Sequence, residues 1–296
     1  MTGSLDIGDR VLVNTTACSL RLGTGGYHFI IANLDNLEKQ MGNWGHGMKL
    51  KYTPQQVHGS FCEEEDSPYH SLFQNRLKLQ DKIIYIGELH SMLLPLCAYF
   101  KYNKKNIKIA CIVTDHGALP VFFSNNIRLL KSLELLDATI SIGNAYGGDY
   151  ECVNIYTGLQ MELNVLKADV AVVTMGPGIM GTGSPFGFSG LEMGFYINFI
   201  KNNGGEPLYI PRISFKDPRK RHYGISHHTL NVLSYIVDVP VPIVLPIMEK
   251  GKINFVMKQL KKYKLTDKYP IIFKCGRDIV DSLKYFNLNP STMGRT

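Results

Sequence analysis

The chain has 296 residues, a formal net charge of +7, 45% apolar residues and 19% charged residues. This supplies a substantial core and excludes a disordered polar chain, and no apolar run reaches the roughly 18 residues of a membrane span. Six cysteines, none in CxxC spacing, exclude a zinc finger and suit a reducing cytoplasm.

The length fits one large α/β domain, or a main domain with a small annex. Residues 1–58 read as a β-rich annex. Met1 to Asp6 has neither the basic start nor the apolar core of a signal peptide. The strand-like Gly8 to Asn14 follows at once, so an N-terminally incomplete annex is expected. Asp9 to Thr15 and Tyr27 to Leu34 read as strands, with a glycine turn at Leu22 to Gly26 between them. Residues 59–80, with the acidic run Glu63 to Asp66, read as a connection.

Residues 81–296 then alternate strand, polar loop and helix. Strands are expected at Lys82–Ile86, Ile107–Val113, Ala138–Ile142, Ala168–Thr174 and Pro207–Pro211. Further strands are expected at Val241–Ile247 and Pro270–Phe273. Helices are expected at Met92–Lys101, Ala118–Leu136, Glu151–Leu166, Leu191–Lys201 and Thr229–Val237. The strands are continuous apolar runs, as when both faces are covered. The fold class expected is α/β: a mostly parallel, helix-covered open sheet of Rossmann-like type. Cys97, Cys111 and Cys275 lie in apolar runs and are expected as small core residues. Lys250 to Lys268 carries seven lysines. No nucleic-acid motif accompanies it, so it reads as the solvated face of a helix, with no nucleic-acid or membrane partner.

Open parallel sheets bind ligands beyond the carboxyl ends of their strands. Five loops stand there: Gly87 to Ser91, Thr114 to Gly117, Gly143 to Glu151, Gly176 to Ser184, and Pro211 to His228. The last packs Arg212, Lys216, Arg219, Lys220 and Arg221 with His222, His227 and His228. Arginine forks suit phosphate or carboxylate oxygens, and histidine titrates near neutrality. Expected anion contacts are Arg212, Ser214, Arg219 and Arg221, with backbone from Gly176, Gly178, Gly181, Thr182 and Gly183. Gly176 to Gly181 matches GxGxxG, but Gly183, Ser184, Pro185 and Gly187 delay the following helix. Dinucleotide binding, a backbone nest for a small anion, and a plain turn all stay open. Proton transfer is assigned to His222 or His227, with His90 as a further candidate or a structural residue. Asp115 and Asp149 read as bases, metal ligands or helix caps. His227 and His228 are adjacent, so their side chains are expected to diverge by roughly 100° on a helix, against joint metal ligation. A divalent metal is otherwise compatible with the site. GxSxG, HExxH and the Walker pattern are absent.

Asp9 to Ala17, Leu22 to Phe29, Gly176 to Gly183 and Arg212 to His228 together resemble a bacterial family catalogued as domain of unknown function 3866. The resemblance spans nearly the whole chain. Family members usually carry a further β-rich stretch before the Gly8-Asp9-Arg10 region. The family pattern has histidine at Asn144 and a small residue at His116, which argues against essential acid–base chemistry at either. The resemblance implies a shared site and names no activity. The leading expectation is an enzyme, hydrolase or transferase, for a small anionic substrate, with a homo-oligomer compatible. The alternatives are a non-catalytic nucleotide or dinucleotide sensor module and a structural or assembly protein whose glycine loops only turn the chain.

Overall fold

The computed structural model describes residues 5–20, 27–36, 45–115 and 120–290. Its centre is a six-stranded, all-parallel sheet. Four short strands come first. β1 (Val11–Asn14) pairs antiparallel with β2 (Phe29–Asn33), and β3 (Gly47–Lys49) pairs antiparallel with β4 (Val57–Gly59). The central strands are β5 (Ile83–Gly87), β6 (Ile109–Thr114), β7 (Ala138–Ser141), β8 (Tyr150–Glu151), β9 (Val170–Met175) and β10 (Glu206–Ile210). Their spatial order is β10-β5-β9-β6-β7-β8. β9 therefore inserts between β5 and β6, and the loops after β10, β5 and β9 become neighbours at the carboxyl edge.

Every residue of β6, β7 and β9 is buried. The side chains alternate between two cores, as the strand period requires. Ile84, Ile86, Ile112, Ala171 and Val173 enter one core. Ile109, Cys111, Val113, Val170 and Val172 enter the other. The second core is covered by α2 (Leu93–Asn103) and α3 (Asn125–Ser132), the two helices that follow the annex helix α1 (Thr16–Ser19). The first is covered by α4 (Ile155–Gln160), α5 (Glu192–Asn202) and α6 (His227–Asn231). Both α4 and α6 run on into a π-turn segment, at Met161–Leu166 and Val232–Ile236.

Several expectations change. The helix expected from Ala118 begins at Asn125, where the Ser124 hydroxyl accepts from Ile127 N and caps it. The turn at Leu22–Gly26, together with His116 and the first residues of that expected helix, lies outside the described residues. The helix expected from Glu151 begins at Ile155, because Asn154 and Thr157 form the capping box. Tyr150 and Glu151 instead add a strand beside β7. The two late strands form their own parallel pair, β13 (Ile243–Pro246) with β14 (Ile271–Lys274), after the small pair β11 (Ile213–Ser214) and β12 (Gly224–Ile225). Cys97 and Cys111 are buried, but Cys275 is exposed just past β14. In α7 (Lys250–Lys262), Val256 and Leu260 are buried while Lys258, Lys261 and Lys262 face solvent. α8 (Leu265–Lys268) and α9 (Arg277–Tyr285) complete the chain. Among the described residues no helix is long and apolar enough to cross a membrane.

The β3–β4 segment is tied to the carboxyl edge by Lys49, which is buried. Its ammonium reaches Ser141 O, Ala145 O and the Glu151 carboxylate. On the other flank, α5 packs against the π-turn after α6 at Gly194. A Cβ there would stand 2.6 Å from Ile236 Cγ2. Alanine would gain about 1 kcal/mol of helix propensity, but overpacking a filled core costs about 1–3 kcal/mol. Gly194→Ala is therefore expected to lower stability by about 1 kcal/mol, measured as a lower urea midpoint at unchanged m-value. An unchanged or higher midpoint would show that the contact yields freely.

Candidate functional site

The cationic segment after β10 is a folded hairpin. β11 and β12 pair as Ile213 with Ile225 and Ser214 with Gly224. Gly224 sits at φ +74°, and a Cβ there would meet Gln259 Oε1 at 2.3 Å. That close approach lets Gln259 of α7 accept from Ile225 N at 2.9 Å and donate to Tyr223 O and Ile225 O. The hairpin is pinned to α7, and Phe215, Tyr223 and Phe255 pack edge to face beside it.

The charge of the hairpin is partly settled from within. Asp217 accepts two bonds from the Arg219 guanidinium, at 2.9 and 2.8 Å, one from Arg219 N at 3.0 Å, and one from Arg212 at 3.3 Å. The Arg219 hydrogen bonds hold its carboxyl far below the usual carboxylate range. Ser214 Oγ accepts from Lys216 N at 3.2 Å. Arg221 is exposed, and its Nε donates to His222 Nε2 at 3.4 Å. Among the described residues no carboxylate pairs with it.

Three imidazoles gather at this point. His222 ends a 3-10 turn, Lys220–His222, and His227 and His228 open α6 behind the N-cap Ser226. Ser226 Oγ accepts from His228 N at 3.2 Å and meets His222 Nδ1 at 2.9 Å. Because Arg221 donates to His222 Nε2, the ring proton belongs on Nδ1, donated to Ser226. Ring centroids stand 5.0 Å apart for His222 and His227, 5.1 Å for His222 and His228, and 4.3 Å for His227 and His228. A nitrogen from each lies within 4.8 Å of the others. The expected divergence of His227 and His228 is thus corrected. Helical spacing fixes their Cβ directions, but His228 is held flat on Phe188 (3.9 Å, 7°) and His227 leans over it. Burial, then the positive charge of Arg212 and Arg219, push His222 down to about 3. Burial and the neighbouring His228 and Arg221 push His227 down to about 4. Both rings are neutral at pH 7: they offer lone pairs to a metal or a hydrogen-bond donor, are weak bases, and are unsuited to donate a proton as imidazolium.

Beneath them lies Glu88, the first residue after β5, with no solvent exposure. Its Oε2 accepts from Tyr209 OH of β10 at 2.9 Å and from Thr229 Oγ1 of α6. Its Oε1 has no hydrogen-bond partner and stands 3.7 Å from His228 Nδ1. Glu88, Tyr209 and Thr229 are missed by sequence reasoning, which names His228 in the cationic segment but argues against its sharing a metal with His227. The available signal was a carboxylate directly after the buried end of β5, two residues before His90.

The glycine segment after β9 closes the site. A Cβ at Gly181 would stand 3.9 Å from the His228 ring, and the Gly181 backbone bridges to Phe188. Gly178 and Gly183 have positive φ and open space where a Cβ would be. Thr182 is exposed, and its N and Oγ1 both donate to Gly187 O within the turn. The next helix opens only at Glu192, so the GxGxxG match lacks the glycine-to-helix step of a dinucleotide fingerprint.

The other candidates lie apart from the histidine group. His90 is buried, with Nδ1 on Met175 O at 2.9 Å and Nε2 on Ser124 Oγ at 2.5 Å. Burial pushes it down to about 4. Asp115 accepts from Asn144 N at 2.6 Å and holds the loop after β7. Asp149 caps no helix. It accepts from Thr139 N and Oγ1 at 2.7 and 2.8 Å and pairs with Lys131. Thr139 is in the first half of β7, so Asp149 faces away from the carboxyl edge, in a depression shared with Lys108 and Asp137.

Neither the curated proteins nor the solved structures contain a match to this chain. A family model described as protein of unknown function (DUF3866) matches residues 1–296, the whole chain, and the protein belongs to that family.

Proposed function

We propose that this protein is an enzyme acting on a small phosphate- or carboxylate-bearing substrate at the carboxyl edge, beside β10, β5 and β9. The observation that carries this is the group formed by buried Glu88, His222 and His228 with half-buried His227 under an exposed Arg221. Ionisable side chains massed and dehydrated at a ligand-binding edge are costly to fold and are characteristic of chemistry. Arg221 is the guanidinium best placed to clamp the anion, since Arg212 and Arg219 already hold Asp217. The backbone at Gly176, Gly178, Gly181 and Gly183 supplies further donors. The neutral histidines take the part of base or ligand. A sensor that only binds nucleotides would use the arginines and glycines but has no need of a buried carboxylate with an unpartnered oxygen.

Thermal shift with inorganic phosphate, sugar phosphates and small dicarboxylates tests this. A ligand at about 100 times its Kd stabilises by roughly 2.7 kcal/mol, a rise of several degrees in Tm. Arg221→Ala removes a charge-assisted bond of about 1.5–3 kcal/mol and is expected to weaken anion binding by ~10- to 100-fold. Arg221 is exposed, so Tm without ligand should hold. An anion response that survives Arg221→Ala at full strength would overturn the assignment of the clamp, and no response to any anion class would overturn the reading itself.

A further inference from the structure

We infer that His222, His227 and His228 form a three-histidine site for one divalent zinc-class ion, with a fourth position left open for a substrate oxygen or water. Zinc binds imidazole nitrogen at about 2.0–2.1 Å, and three protein ligands with one open position are the catalytic arrangement. The three nitrogens lie within 4.8 Å of one another. Closing on a shared tetrahedral ion brings the widest pair together by roughly 1.4 Å, shared between the two rings, which imidazole rotation supplies. Neither imidazole trio nor ion site of this kind recurs among the described residues.

The groups around the rings match what a histidine-ligated metal requires. A ligating histidine gives its other ring N–H to a fixed acceptor, which sets tautomer and aim. For His222 that acceptor is Ser226 Oγ, 2.9 Å from Nδ1, leaving the Nε2 lone pair outward. For His228 the acceptor within reach is Glu88 Oε1, 3.7 Å from Nδ1; neither atom has a hydrogen-bond partner, and a small inward shift would join them. The buried Nε2 of His227 has no partner either. A bound cation accounts for all three: it takes the lone pair of His227 Nε2, and by holding His228 through Nε2 it leaves Nδ1–H and Glu88 Oε1 as partners for each other. The long Arg221–His222 contact of 3.4 Å is one that an ion displaces. The released guanidinium then stands beside the open position, where an oxyanion bridges ion and arginine. This last step rests on the anion-substrate reading above, whereas the ion site does not.

The full chain, stripped with a chelator and dialysed, is titrated with zinc alone by calorimetry. One ion per chain is expected. His227→Ala is expected to raise the zinc Kd by at least 100-fold, with an unchanged urea midpoint in the metal-free state because His227 is only half-buried. His70→Ala, at a histidine bonded to Glu63 O far from the group, should leave Kd unaltered. X-ray absorption of the loaded protein should show three imidazole nitrogens and one light-atom ligand. Sub-stoichiometric zinc, or equal affinity in wild type and His227→Ala, would overturn the site. Inorganic phosphate is then titrated into metal-free and zinc-loaded protein. Phosphate bound without zinc, and zinc not bound at the histidines, would sink the metal site and spare the anion reading. Zinc bound at the histidines with no phosphate in either state would do the reverse.

Discussion

Glu88→Ala is expected to lower folding stability by about 3 kcal/mol, while Glu88→Gln is expected to fold nearly as well as wild type and to bind zinc about 10- to 100-fold more weakly. Glu88 is fully buried and its Oε2 is the acceptor for both Tyr209 OH and Thr229 Oγ1. Alanine strands two dehydrated hydroxyls, each costing about 1–3 kcal/mol, and leaves a cavity. Glutamine keeps an oxygen where Oε2 was, so both hydroxyls retain their acceptor. Its amide nitrogen then replaces Oε1 and points at His228 Nδ1, 3.7 Å away in the wild type. A nitrogen with two protons cannot accept from Nδ1–H. It instead favours the tautomer with the proton on Nε2, the nitrogen needed by the ion. Removing the carboxylate behind a ligating histidine costs about 10- to 100-fold in metal affinity. The pair of substitutions separates two roles of one side chain: urea denaturation reads the first and zinc calorimetry the second. Equal zinc affinity in Glu88→Gln and wild type would remove Glu88 from the metal site while leaving its structural part intact.

The parallel sheet was legible because its signal is local. Runs such as Ile109–Thr114 and Val170–Met175 are apolar throughout, and burial on both faces is the only ordinary use for such strands. The cationic hairpin was legible as a dense run of arginine and histidine. What was hidden depends on the sheet order. Nothing in the sequence says that β9 lies between β5 and β6, and that insertion is what sets Glu88, Gly181 and His228 side by side. Asp149 shows the same limit from the other direction. The chain turns back after Ile142 to start β8, so a residue read as following β7 bonds Thr139 near the beginning of that strand. The divergence expected of His227 and His228 failed because Phe188, far away in sequence, decides where the His228 ring lies.

Acid is expected to destabilise the protein through His90 by about 3 kcal/mol, lost as pH falls from about 6.5 to 4. His90 Nδ1–H donates to Met175 O, which can only accept, so Nε2 carries the lone pair that receives the Ser124 hydroxyl. Protonating Nε2 would break that bond in a site nearly without water, and burial holds the folded pKa at about 4 against about 6.5 in the unfolded chain. Between these values the unfolded state binds the extra proton. Stability therefore rises with pH through this window, is complete above about 6.5, and drains away towards 4. Many groups titrate over the same range, but comparison with His90→Gln isolates this one. Glutamine offers an N–H to Met175 O and an oxygen to Ser124 Oγ, and it does not titrate. At pH 8 the variant should be less stable by about 1 kcal/mol, the worth of an imperfect hydrogen-bond replacement. At pH 4.5 the wild type has lost roughly 2.5 kcal/mol at His90, so the order should invert and the variant be the more stable by about 1.5 kcal/mol. Urea unfolding at both pH values measures the crossing. A stability difference that stays the same from pH 8 to 4.5 would mean that His90 takes up its proton in the folded state as readily as in the unfolded chain, and that its site is open to water.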